Sequence, residues 1–199
     1  MIYTFVKYAF RLFFLFAFRI KVVGREKVLK SGGALFACNH KSNWDALVVL
    51  ATCPRRLAFM GKAELFKFKP FALILKAFGV FPVNRGKGDI SAIKTSLRIL
   101  KEENSFIMFP EGKRVKKYDP TEVKPGVAMI STRARVPICP VTISGSYKWM
   151  NKITITYGDP IYFDEYYDEK LSVEKLQEMS VTVMDNIYAV DSMKVQNEY

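Results

Sequence analysis

The sequence predicts a single α/β domain, a mixed β-sheet covered by helices, with a hydrophobic helix at its N-terminus. Three observations predict it. Short runs rich in β-branched and aromatic residues alternate with stretches of helical periodicity from residue 34 onward. No linker-like segment or internal repeat interrupts that alternation. The 199 residues, half of them apolar, allow one sizeable core and are short for two.

The first element is the segment MIYTFVKYAFRLFFLFAFRIK, apolar at 15 of its first 18 positions. Its exceptions, Thr4, Lys7 and Arg11, recur at spacings of three and four and so line one narrow helical face. At ~1.5 Å per residue such a helix is about 27 Å long, just short of a hydrocarbon core. Lys7 and Arg11 sit badly inside a span, and Arg19, Lys21 and Arg25 stand where a signal peptide would carry small residues. A helix apolar nearly all round exceeds what one face of a globular core can bury, so the expectation is a membrane-associating helix, in plane or shallowly inserted. Lys7 and Arg11 then reach headgroups. The boundary is drawn at residues 1–20 for the anchor and 21–199 for the main domain. The basic residues after the helix put the body on the cytoplasmic face of the membrane.

Strands are expected at ALFAC (34–38), RLAFM (56–60), GVFPV (79–83), SFIMF (105–109), VPICPVTI (136–143) and KITITYG (152–158). Helices fit between them at 44–52, 70–79, 89–103 and 123–134, and a last one over 172–190 opens at Ser172. Strands alternating with helices argue a sheet covered on both faces. The stretch FKFKPFALILKAFG, 66–79, mixes bulky apolar residues with lysines and suits an apolar groove, a membrane contact or a plain core helix.

Composition narrows the function. Three widely spaced cysteines and a single histidine give no metal set, and buried free thiols favour a reducing compartment. The net charge of +12 is uneven: residues 1–158 carry +19 and residues 159–199 carry −7. A basic body faces solvent alone or an anionic partner, whether nucleic acid, acidic lipid or a phosphorylated substrate. No nucleic-acid module is present, and nucleic-acid binding would leave the aromatic N-terminus unexplained.

The unusual residues collect after strands, where ligands of open α/β sheets sit. Asn39, His40 and Asp45 follow the first strand, Asn84 and Arg85 follow GVFPV, and Pro110, Glu111, Gly112, Lys113 and Arg114 follow SFIMF. A spacing of five would make His40 and Asp45 diverge on one helix. With Ser42 or Asn43 as N-cap, Asp45 lies in the first turn and His40 in the loop before it, free to fold back. Asp45 then fixes the tautomer and leaves the other ring nitrogen basic; a satisfied loop histidine beside a helix-start charge fits the same residues. Arg85 and Arg114 offer donor forks for a phosphate, and Lys113 a point charge. Gly112 permits close backbone approach, and Glu111 can hold an arginine or meet a substrate hydroxyl. A charged loop with a local Glu–Lys or Glu–Arg pair is the alternative.

The segment NHKSNWD fits the pattern Asn-His-x-Ser-x-x-Asp, and together with GVFPVNR, FPEGKR and VPICPVTI it resembles four blocks of the PlsC-like 1-acylglycerol-3-phosphate acyltransferases, in the family's order over residues 34–143. Asn84 replaces a frequent Asp, and Lys113 and Val115 replace the usual Thr and Ser. The resemblance implies transfer of an acyl chain from acyl-CoA or acyl carrier protein, as co-substrate with no resident cofactor, to the sn-2 hydroxyl of lysophosphatidic acid. It assigns catalysis to His40 and Asp45, and substrate binding to Arg85, Glu111, Gly112, Lys113 and Arg114. The expected partners are the phospholipid surface, the lysolipid and the thioester. Other acceptors (glycerol 3-phosphate or another lysolipid) and a non-enzymatic peripheral membrane protein are the alternatives.

Overall fold

The computed structural model describes residues 2–84, 89–167 and 169–196. Among them are a seven-stranded sheet and six α-helices: α1 (Ile2–Ala17), β1 (Arg19–Val23), β2 (Ala34–Cys38), α2 (Asp45–Thr52), β3 (Leu57–Lys62), α3 (Lys69–Ala77), β4 (Val80–Val83), α4 (Ile90–Lys101), β5 (Ser105–Met108), α5 (Gly126–Ala134), β6 (Ile138–Gly145), β7 (Lys152–Tyr157) and α6 (Val173–Gln196).

The sheet order is β1-β7-β6-β2-β5-β3-β4. The five strands from β6 to β4 are mutually parallel, and β7, with β1 beside it, runs the other way through the antiparallel β6–β7 pair. The sheet is therefore mixed, as expected. Every residue of β2 is buried, which is what a central strand covered on both faces requires. Side-chain alternation splits the core into two layers. Phe36, Val48, Leu57, Ile143 and Ile155 pack beneath α1 and α2, while Leu35, Phe106, Ile130, Ile138 and Ile187 pack beneath α5 and α6.

The N-terminus corrects the sequence reading in two ways. First, α1 stops at Ala17, and Arg19–Val23 forms an edge strand parallel to β7, so a boundary at residue 20 cuts through β1. The period-two pattern, Arg19 and Lys21 outward with Ile20 and Val22 inward, was hidden by the apolar run before it. Second, α1 is part of the domain. Tyr3, Phe14, Ala17 and Phe18 are buried, and Leu57 N donates to the Tyr3 hydroxyl at 3.0 Å. Lys7 turns inward, its ammonium donating to the Cys53 carbonyl rather than reaching a headgroup. The opposite face carries Phe5, Leu12, Leu15 and Phe16, each more than half exposed.

No helix among the described residues is long and apolar enough to cross a membrane. α3 is no core helix either: Leu73 and Ile74 are more than half exposed. The last helix extends past residue 190 to Gln196, and the Ser172 hydroxyl caps it by accepting from Lys175 N at 3.2 Å.

Candidate active site

Three parallel strands lie side by side in the order β6, β2, β5, so their carboxyl ends meet, and the chain leaving each one brings a polar side chain to the same place. Asn39 leaves β2 fully buried. Its amide donates to Ile143 O at 3.0 Å and accepts from Ile143 N at 2.8 Å, continuing the ladder to β6 through a side chain. The chain can then turn at His40 without stranding the β6 groups.

His40 Nδ1 lies 2.9 Å from Asp45 Oδ2. The Ser42 hydroxyl accepts from Trp44 N at 3.3 Å, as the expected cap would, but the helix begins only at Asp45, with Trp44 as an N-cap that makes no side-chain bond. The reason is that Asp45 serves the turn before it. Its Oδ2 also accepts from Lys41 N at 2.6 Å and Ser42 N at 2.7 Å, while Oδ1 accepts from the Tyr147 hydroxyl at 2.8 Å. A fully buried carboxylate needs such a set of donors to satisfy its oxygens. With Asp45 accepting at Nδ1, that nitrogen carries the proton and Nε2 presents a lone pair. Nε2 has no partner among the described residues. The ring stacks on Phe109, centroids 4.1 Å apart, which fixes its plane.

Glu111 comes from β5. The turn Phe109–Gly112 closes with Gly112 N donating to Phe109 O at 2.9 Å, and Gly112 adopts φ +67°, where a side chain would be strained. The loop then returns, and Val115 N donates to His40 O at 2.8 Å. Glu111 is buried. Its Oε2 accepts from His40 N at 2.8 Å and its Oε1 from the Tyr188 hydroxyl at 2.5 Å. Both oxygens are engaged by the protein and neither meets an arginine among the described residues; Glu111 fixes the His40 backbone. Burial pushes its carboxyl above the ordinary range, and the bonds from Tyr188 and His40 pull it back in part.

The remaining expected residues are placed less tightly. Lys113 pairs with Glu122 at 2.7 Å in an exposed ion pair, so the local pair is with Glu122 and not Glu111. Arg114 is exposed and bonded to no described residue. Arg85 lies outside the described residues. Below the ring of His40, a groove of about 210 Å³ is lined by Phe59, Met60, Val83, Ile107, Met108 and Phe109, with Gly112 and Lys124 at its polar side. All three cysteines are buried; burial raises Cys38 well above an ordinary thiol and Cys139 to about 12, so neither supplies a thiolate near neutral pH.

Sequence reasoning missed Tyr147, Tyr188 and Phe109. Tyr147 carried a usable signal, because it sits just past a recognised strand, where two other clusters had already been found. Tyr188 carried none: on a helix with a polar face, one tyrosine is indistinguishable from a core residue.

The acyltransferase family model matches residues 19–144. The 1-acyl-sn-glycerol-3-phosphate acyltransferase of Streptococcus pneumoniae is 30% identical over 159 residues, which cover 76% of this chain and 58% of that protein. The enzyme of the same name from Bacillus subtilis is 29% identical over 150 residues, covering 72% and 74%. The chain thus spans little more than half the length of the pneumococcal relative. The crystal structure of the lysophosphatidic acid acyltransferase PlsC from Thermotoga maritima superposes with a TM-score of 0.72 at 24% identity, covering 97% of this chain and 78% of that one, a likeness of fold.

Proposed function

This chain belongs to the acyltransferase family, and from that premise we propose that it acylates the sn-2 hydroxyl of lysophosphatidic acid, using acyl-CoA or acyl carrier protein as donor, to give phosphatidic acid. The observation that carries the reading is the His40–Asp45 pair at 2.9 Å, with Nε2 unpartnered at the head of an apolar groove.

In this mechanism Nε2 takes the proton from the acceptor hydroxyl as its oxygen attacks the thioester carbonyl, a step for which a positioned base supplies ~10²–10⁴-fold. The imidazolium formed is stabilised by the Asp45 carboxylate. The tetrahedral intermediate collapses by breaking its C–S bond, and the leaving thiolate takes the proton from Nε2, restoring neutral His40. Transfer is direct, since the raised cysteines make an acyl-enzyme unfavourable. Phe59, Met60 and Ile107 give the acyl chain an apolar wall, and the guanidinium of Arg114, bonded to no described residue, is with Arg85 the proposed grip on the acceptor phosphate. No resident cofactor has a role in these steps.

The exposed face of α1 suits the same substrates. Phe5, Leu12, Leu15 and Phe16 enter the headgroup boundary of the cytoplasmic leaflet, so a lipid acceptor reaches His40 without crossing water. Turnover against a panel of lysophosphatidic acid, glycerol 3-phosphate and lysophosphatidylcholine, with acyl-CoA and acyl carrier protein donors, tests the assignment. Preference for lysophosphatidic acid by at least about tenfold in kcat/KM is expected. Preference for glycerol 3-phosphate or lysophosphatidylcholine over lysophosphatidic acid would overturn it.

A further inference from the structure

We propose that α6 holds His40 in register for the reaction, with Tyr188 acting through Glu111 and Asp191 acting through Lys41. These are positioning residues; neither touches substrate. The inference rests on His40 being the base and extends it to a helix that lies beyond residue 144, outside the family match.

Tyr188 and Asp191 are three residues apart on α6 and share one face. Tyr188 donates to Glu111 Oε1 at 2.5 Å, and Glu111 Oε2 accepts from the backbone N–H of His40 at 2.8 Å. One residue further along the catalytic loop, Lys41 Nζ meets Asp191 Oδ2 at 2.5 Å. The His40 N–H is therefore held through Glu111, and the side chain of the next residue, Lys41, is tied to Asp191, both partners being anchored on α6. Asp45 fixes the ring and the Lys41 and Ser42 amides that follow it, but not the peptide unit before His40, so rotation of that unit would swing Nε2 despite those bonds.

The helix is itself well seated. Met184 and Ile187 are fully buried, Thr142 donates to Ile187 O at 2.9 Å, and Tyr118 stacks on Tyr188 with centroids 4.3 Å apart while donating to Asp185 at 2.6 Å. A buried carboxylate such as Glu111 is a costly way to fill space, and an apolar side chain would stabilise the fold better. Its retention between Tyr188 and His40 fits a task of alignment.

Tyr188→Phe, Asp191→Asn and, as a control on the exposed face of α6, Glu178→Gln test this. The probes are the exchange rate of the His40 amide proton, kcat and KM for lysophosphatidic acid across pH, and Tm. In Tyr188→Phe the amide is expected to exchange about tenfold faster. A kcat about tenfold lower, about 1.4 kcal/mol, is expected with acceptor KM within about twofold. Asp191→Asn is expected to lower kcat in the same sense, and Glu178→Gln to change neither probe.

The pH profile separates alignment from bulk stability. The groups facing Glu111 are Tyr188 from α6, His40 and Asp45 from the segment after β2, Tyr118 from the loop after β5, and Cys38 on β2. Burial raises Tyr188, Tyr118 and Cys38, which stay neutral on the acid side; His40 and Asp45 are common to both proteins. Removing the Tyr188 hydroxyl removes a bond that favours ionised Glu111, so the acid limb of kcat moves to higher pH. An unchanged His40 exchange rate, or a uniform loss of kcat at every pH alongside a lower Tm, would overturn the proposal. If the wild type fails to acylate lysophosphatidic acid, the functional reading falls, and the exchange comparison still decides the positioning claim.

Discussion

Replacing Asp45 with Asn removes a charge while nearly preserving a shape, and the surroundings dictate how the amide must sit. Three N–H donors converge on Oδ2, from His40, Lys41 and Ser42, and a single hydroxyl faces Oδ1. The amide carbonyl therefore stays with the three donors, its NH2 turns to Tyr147, and the tyrosine oxygen accepts. The tautomer of His40 survives; the charge that balances its imidazolium does not. A hydrogen bond to a charged group contributes ~1.5–3 kcal/mol against ~1 for a neutral one. An ion pair at ~4 Å is worth about 4 kcal/mol at an effective dielectric near 20. The loss in the transition state is then about 1.5–4 kcal/mol, or ~10- to 10³-fold in kcat, with little change in acceptor KM. Steady-state rates at saturating acceptor, beside a melting curve to show that the variant is folded, measure it. A folded Asp45→Asn protein with kcat within about twofold of wild type would refute the role of the charge. Asp45→Ala is the poorer experiment, because it strands four partly buried donors at up to ~1–3 kcal/mol each and endangers the fold.

Two further outcomes follow from the same geometry. Asn39→Ala leaves Ile143 N and O without partners in a fully buried setting, a loss of about 2–4 kcal/mol; at ~2–4 °C per kcal/mol the melting temperature should fall by roughly 5–15 °C, and an unchanged Tm would deny the side-chain ladder. Replacing Phe5, Leu12 and Phe16 by Ser on the exposed face of α1 should keep Tm within a few degrees yet weaken binding to anionic vesicles by at least about tenfold, whereas retained binding would place the contact elsewhere.

The central strands were legible because β2, β5 and β6 are short, β-branched or aromatic, and bounded by turn residues; ALFAC matches β2 residue for residue. β1 was not, since its alternation begins one residue after an apolar helix ends and the two patterns merge. The anchor reading of α1 counted apolar positions but could not see α2 and β3 beneath it, which bury Tyr3 and Phe14 and draw Lys7 inward. At the site, His40 and Asp45 were legible because they are five apart across the turn that enters α2, where local geometry decides contact. Glu111 was found, but its partner was misjudged. Tyr188 lies 77 residues away, and only tertiary packing brings it to that carboxylate.

His40→Ala under saturating lysophosphatidic acid and thioester, on protein shown by its melting curve to be folded, is the most direct test of the imidazole as general base. The predicted result is a kcat lower by ~10²–10⁴-fold with donor and acceptor KM little altered. Turnover close to that of the wild type would contradict it.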